Sequence, residues 1–119
     1  MTPKRGDSVA PPPVGDEYDV RFACNDAIKG WQDLRAQEPS NTRWAYEQMR
    51  DNPGCRTQPP NSRHFRLHRE YATALYAGRE LPQWQIEVLS GGRIWYLLDD
   101  EKRVCWVKLA GRGHPKQTE

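Results

Sequence analysis

Arg112, His114 and Lys116 stand within five residues in Gly111-Arg112-Gly113-His114-Pro115-Lys116. Side chains of these three types can together hold and cleave a phosphodiester. The guanidinium keeps its charge at any physiological pH, and its planar fork can bond two phosphate oxygens. An imidazole, with an unperturbed pKa near ~6.5, takes or gives a proton close to neutrality. Lys116 can neutralise a phosphate or move a second proton, and Pro115 restricts the backbone beside the histidine. A soluble tail rich in glycine and charge has the same composition, so the cluster alone does not decide.

More cations lie upstream. Arg93 opens the run Arg93-Ile94-Trp95-Tyr96, and Lys108 stands in the apolar run before Gly111. Arg63, Arg66 and Arg69, with His64 and His68, surround Phe65 and Leu67. An RNA-facing strip needs cations for phosphates and an aromatic ring to stack a base. The bland alternative is a solvated edge anchored by Phe65 and Leu67. His64 and His68 have the four-residue spacing of zinc ligands on a helix, but no acidic or cysteine partner sits at a matching interval, so no metal is expected.

These residues must be positioned by a small fold. A chain of 119 residues supports one domain with one modest core. Residues 1–16 hold four prolines and two glycines and read as a disordered or extended leader, leaving 17–119 as the domain. Tyr18, Val20 and Phe22 alternate with polar neighbours as in a strand. Asn25 can cap a helix carrying Ile28, Trp31, Leu34 and Arg35, which Pro39 closes. Ser40 or Asn41 can cap a second helix with Trp44, Ala45, Gln48 and Met49 on one face, stopped at Asn52-Pro53-Gly54. The stretch 63–83 is ambiguous, with a helical turn at its centre between Glu70 and Leu75. Three alternating runs then follow, Trp84–Leu89, Arg93–Leu98 and Arg103–Leu109, joined by turns at Ser90-Gly91-Gly92 and Asp99–Lys102. That is an antiparallel meander. The fold class expected is α+β, in the order β-α-α-β-β-β. A two-helix hairpin covers one face of a small antiparallel sheet, and the first strand runs along its edge. Trp31, Trp44 and Trp84 read as core. Trp95 and Trp106 lie on strands apolar on both faces, so the second face is either a docking surface or a second core layer.

Composition narrows the partners. The net charge of +2 divides unevenly: residues 1–60 carry 8 basic and 9 acidic side chains, residues 61–119 carry 10 and 7. A basic region on a near-neutral chain suits a polyanion as well as plain solvent. No apolar run approaches the ~18 residues of a membrane span, and the N-terminus lacks a signal-peptide core. Cys24, Cys55 and Cys105 are too few and scattered for a disulfide framework, and they read as reduced thiols of a cytoplasmic protein. No phosphate-cradling glycine loop, serine elbow or paired catalytic carboxylates are present.

The stretch from Gly91 to Lys116, with its arginine-then-aromatic strand, acidic turn, apolar strand and basic end, resembles the RelE/ParE superfamily of bacterial toxins from toxin–antitoxin pairs. The element order over residues 18–119 agrees. In its ribosome-dependent branch the resemblance implies mRNA cleavage by the ribose 2′-hydroxyl on the adjacent phosphate, without metal or other cofactor. Arg93 then matches the strand arginine of that family and Arg112 the arginine after the last strand. Arg63, Arg66, Arg69 and Lys108 would contact RNA. Many such toxins carry a tyrosine near the C-terminus, and this chain has none after Tyr96, so His114 and Lys116 are the candidates for proton transfer. The implied partners are a cognate antitoxin, the ribosome and mRNA, with no membrane. A gyrase-inhibiting branch of the same superfamily, or a non-catalytic RNA-binding or partner-binding domain, are the rival readings.

Overall fold

A computed structural model describes residues 3–88 and 91–112 of the chain. Alternation of apolar and polar residues produces the strands, and three- and four-residue spacing the helices, as physics requires of half-buried elements. The order is β1 (Asp19–Phe22), α1 (Asn25–Gln37), α2 (Pro39–Asp51), β2 (His64–Arg66), β3 (Thr73–Tyr76), β4 (Arg79–Val88), β5 (Gly92–Asp99) and β6 (Val104–Arg112). A 3₁₀ turn, Arg69–Tyr71, precedes β3. The sheet runs β1-β6-β5-β4-β2, with β3 also paired to β4. β1 lies parallel to β6 and every other pairing is antiparallel. The α+β class, the helix pair on one face and the meander are therefore as expected.

Val20, Phe22, Ile86, Ile94, Tyr96, Cys105 and Val107 face the helices, which contribute Ile28, Trp31, Leu34, Ala45 and Met49. The helix boundaries differ from the sequence reading. Cys24 is the N-cap of α1, in extended backbone, and Asn25 is already helical. Pro39 both closes α1 and opens α2, because its missing N–H and fixed φ cost nothing in a first turn. Ser40 and Asn41 consequently lie inside α2 rather than capping it.

The ambiguous stretch resolves into β2, the 3₁₀ turn and β3, with β4 starting at Arg79 rather than Trp84. β2 and β3 pair with successive halves of β4, through His64–Arg66 on Ile86–Trp84 and Thr73–Tyr76 on Pro82–Arg79. Between them the chain swings over the second face of the sheet. Tyr71 packs on Trp95 at 5.7 Å and Tyr76 on Trp106 at 4.5 Å between ring centroids. Trp95 is 0% exposed, and its indole N–H donates to the Gln85 side-chain oxygen at 2.7 Å. The open docking face envisaged around Trp95 does not exist: it is a second core layer. The hairpin carrying this cover turns at Ala77 and Gly78, with φ of 52° and 81°. Two consecutive positive φ values are those of a type I′ turn, where Asn-Gly is the best pair. Ala77→Asn should stabilise the fold by about 0.5–1 kcal/mol, raising the thermal midpoint by a few degrees in a melting scan.

Part of the proline-rich leader is ordered and extended. Its Gly6 and Val9 amides donate to the carbonyls of Phe22 and Val20, at 2.8 and 2.7 Å, so Gly6–Val9 covers the free edge of β1. Val9 packs against the core. Among the described residues no helix is long and apolar enough to cross a membrane.

Candidate functional site

The sheet end formed by Val88, Gly92 and Arg112 is where the sequence placed the chemistry. Register carries Arg63, Glu87, Arg93 and Gly111 onto one rung there. Glu87 donates its amide to the Arg63 carbonyl at 2.7 Å, pairs with Arg93 across β4 and β5, and Arg93 pairs with Gly111.

Arg63 bends round the β4 edge. Its guanidinium lies 4.0 Å from the Trp44 ring centroid and donates through Nε to the Glu87 carbonyl at 3.3 Å. Stacking on an indole orients a guanidinium without using its in-plane donors. Its Nη2 is buried and has no hydrogen-bond partner among the described residues. Arg93 is half-buried on the second face, two residues before Trp95, and its Nε is likewise buried and unpaired. Neither arginine forms an ion pair with Glu87, whose carboxylate instead accepts from Gln85 at 3.3 Å. Each guanidinium therefore keeps one buried donor without an acceptor among the described residues, Arg63 on the Trp44 side of the sheet and Arg93 on the second face, and a buried donor left unmade costs about 1–3 kcal/mol.

Arg112 is close in sequence space yet turned away. It pairs with Gly92, one rung beyond Arg93, and its guanidinium donates to the Gln37 side-chain oxygen at the end of α1 at 2.7 Å. The reason is a β-bulge. Trp95 pairs with Leu109 but Tyr96 pairs with Val107, so Lys108 is an extra residue on β6. One extra residue reverses the facing of everything after it. Strict alternation would have set Arg112 on the face of Arg93; the bulge sets it on the helix side.

The other candidates scatter. Lys108, at the bulge, is half-buried and donates to the Gln83 side-chain oxygen at 3.2 Å within the second core layer. Arg66 is exposed and its Nη2 donates to the Ala72 carbonyl at 3.5 Å. Arg69 sits exposed in the 3₁₀ turn with a φ of 58°. Arg63, Arg66 and Arg69 therefore do not form one strip. His64, in their midst, is 1% exposed under the helices. Its Nε2 lies 2.6 Å from the Tyr96 hydroxyl, which donates to the Pro53 carbonyl at 2.6 Å, and its Nδ1 is 3.3 Å from the Gln48 side-chain oxygen. Burial without a nearby carboxylate pushes the His64 pKa down to about 4. His114 and Lys116 lie outside the described residues.

Trp44, which the sequence marked only as core, supports Arg63 from α2, and Glu87 on the rung carried no signal in the sequence. Their role depends on β2 pairing with the far half of β4, which no local pattern announces. Among the described residues no three His, Cys, Asp or Glu side chains gather in a group able to hold a metal. No protein-family model, no curated protein and no solved structure matches this chain.

Proposed function

We propose that this protein is a RelE-like toxin that cuts mRNA in the ribosome, by attack of a ribose 2′-hydroxyl on the adjacent phosphate, without metal or other cofactor. The observation that carries the reading is the rung at the sheet end, where the backbones of Arg63 and Arg93 flank Glu87 in register and each arginine keeps a buried guanidinium donor without a partner among the described residues. A phosphate that gains negative charge in the transition state is stabilised by donors already held in place, because no reorganisation is then needed. Arg93 serves as that donor, and Arg63, steadied on Trp44, binds a neighbouring phosphate.

The segment after Arg112 supplies proton transfer in this reading. His114 takes the 2′-hydroxyl proton or returns one to the leaving 5′-oxygen, and Lys116 takes the complementary role. Arg112 contributes charge behind the site, from the end of β6 where it bonds Gln37. Translation stops because the message is cut. A cognate antitoxin with acidic or amphipathic segments holds the toxin silent until it is removed.

Primer extension on a reporter mRNA in a bacterial translation extract tests this directly. Wild-type protein should give cuts that need ribosomes, and Arg93→Ala or His114→Ala should each weaken them by about 10²–10³-fold. Message left intact by the wild type ends the nuclease reading and directs attention to gyrase. Cleavage that survives both substitutions would place the chemistry elsewhere in the chain.

A further inference from the structure

We propose that the cleft between the leader and the helix pair binds a small organic anion with an apolar body, such as an aryl or branched-alkyl carboxylate. The cleft measures about 550 Å³, inside the ~300–1,000 Å³ range of small-molecule sites. Val9 and Pro11 of the leader form one wall, and Trp31 and Tyr46 of the two helices form the other. These surfaces suit a flat or branched apolar group.

Charge selects the rest of the ligand. Three arginines, Arg35, Arg43 and Arg50, line the cleft against one carboxylate, Glu17. Arg43 is paired with Glu47, and Arg50 with Glu17 and Asp51. Arg35 lines the same cleft with no ion pair among the described residues, so its guanidinium is the cation left for a ligand. The α2 N-terminus adds to this, because Pro39 lines the cleft and no side chain caps that helix end. Uncapped first-turn amides and the helix dipole favour negative charge.

Thr42 supplies an independent sign. It is 1% exposed, lines the cleft from the first turns of α2, and its Oγ1 has no hydrogen-bond partner among the described residues. A helical threonine has two accessible χ1 rotamers, so a ligand oxygen could draw this hydroxyl into the cleft. An extended peptide is the poorer occupant. The nearest sheet edge, that of β1, is already taken by the Gly6–Val9 backbone and has no ladder to offer. None of Arg63, Arg93 or Arg112 lines the cleft, so this site stands apart from the nuclease reading.

Titration of 2-naphthoate into the full chain by calorimetry tests the proposal, with 2-naphthalenemethanol as the uncharged twin. One molecule of naphthoate should bind saturably. The alcohol, and naphthoate on Arg35→Gln, should each bind about ten-fold or more weakly, since one charge-assisted hydrogen bond is lost. Thr42→Val should weaken naphthoate binding several-fold while the urea midpoint stays level or rises, because an unpaired buried hydroxyl has been replaced by a methyl group. Arg93→Gln should leave binding unchanged. The proposal is overturned by absence of saturable binding at about 1 mM naphthoate. Equal affinity for the alcohol, or indifference to Arg35→Gln, overturns it too.

Discussion

Gly30→Ala should lower the stability of this protein by about 3 kcal/mol, although it replaces one of the worst helix formers with the best. On an isolated helix the change would gain ~1 kcal/mol. Here a Cβ on residue 30 would lie 1.8 Å from the carbonyl oxygen of Ala110 and 2.6 Å from its carbonyl carbon. Both are backbone atoms of β6, so no side chain can swing aside. The helix must retreat by an ångström or more, and Ile28, Trp31 and Leu34 move with it out of a core packed at crystal-like density. The Arg112–Gln37 hydrogen bond, about two turns further along α1, should be lost in the same shift. Urea denaturation should show the midpoint collapsing for Gly30→Ala, with the exposed neighbour Lys29→Ala within about 0.5 kcal/mol of wild type. Equal stabilities for the two variants would mean that α1 does not ride on β6 this closely.

Acid should unfold the protein through His64. Its unfolded pKa is ~6.5 and its folded pKa is about 4, lowered by burial. Between these values the unfolded chain binds a proton that the folded chain refuses, so stability falls as pH falls. Above the upper value both states are neutral there and the term vanishes; below the lower one both are protonated and the loss is complete. The full loss is about 3 kcal/mol, spread from roughly pH 6.5 to 4 at up to ~1.4 kcal/mol per unit. The groups around the ring explain why charge is refused. Gln48, Tyr96, Trp84 and the Pro53 carbonyl are all neutral. Urea titrations from pH 7 to 4.5 should show this slope in wild type and a flatter one in His64→Gln. Matching slopes would assign acid sensitivity to the carboxylates instead.

Local rules carried much of this fold and stopped where long-range pairing began. Trp84, Ile86 and Val88 revealed β4, and Ile28, Trp31 and Leu34 revealed α1, because each pattern is written within one element. Gly30, in the middle of that helix, gains its meaning only when Ala110 is set against it. β3 stayed hidden because Thr73–Tyr76 gains its pairing from a β4 that begins before Pro82, a residue that ordinarily argues against a strand interior. The site suffered most from one unpredictable insertion. The bulge at Lys108 leaves no trace in Val107-Lys108-Leu109-Ala110, yet it decides that Arg93 and Arg112 face opposite ways. His64 misled for a related reason. It shares a basic heptapeptide with three arginines, and only the β2–β4 register shows it pointing inward.

Asp19–Phe22 pairs with Val104–Val107, so the strand latest in the sequence lies between the earliest and β5. That order fixes the sequence in which the chain can become compact. The hairpins β3–β4, β4–β5 and β5–β6 close short loops, whereas β1 must wait for a partner more than 80 residues away. α1 waits too, since its glycine docks on that same late strand. During refolding the C-terminal half can assemble on local contacts, while Trp31, Leu34 and the rest of the helix pair stay in water until β6 is seated. For that interval the first half of the chain has an apolar face with nothing to cover it, and it is completed only when the second half has finished.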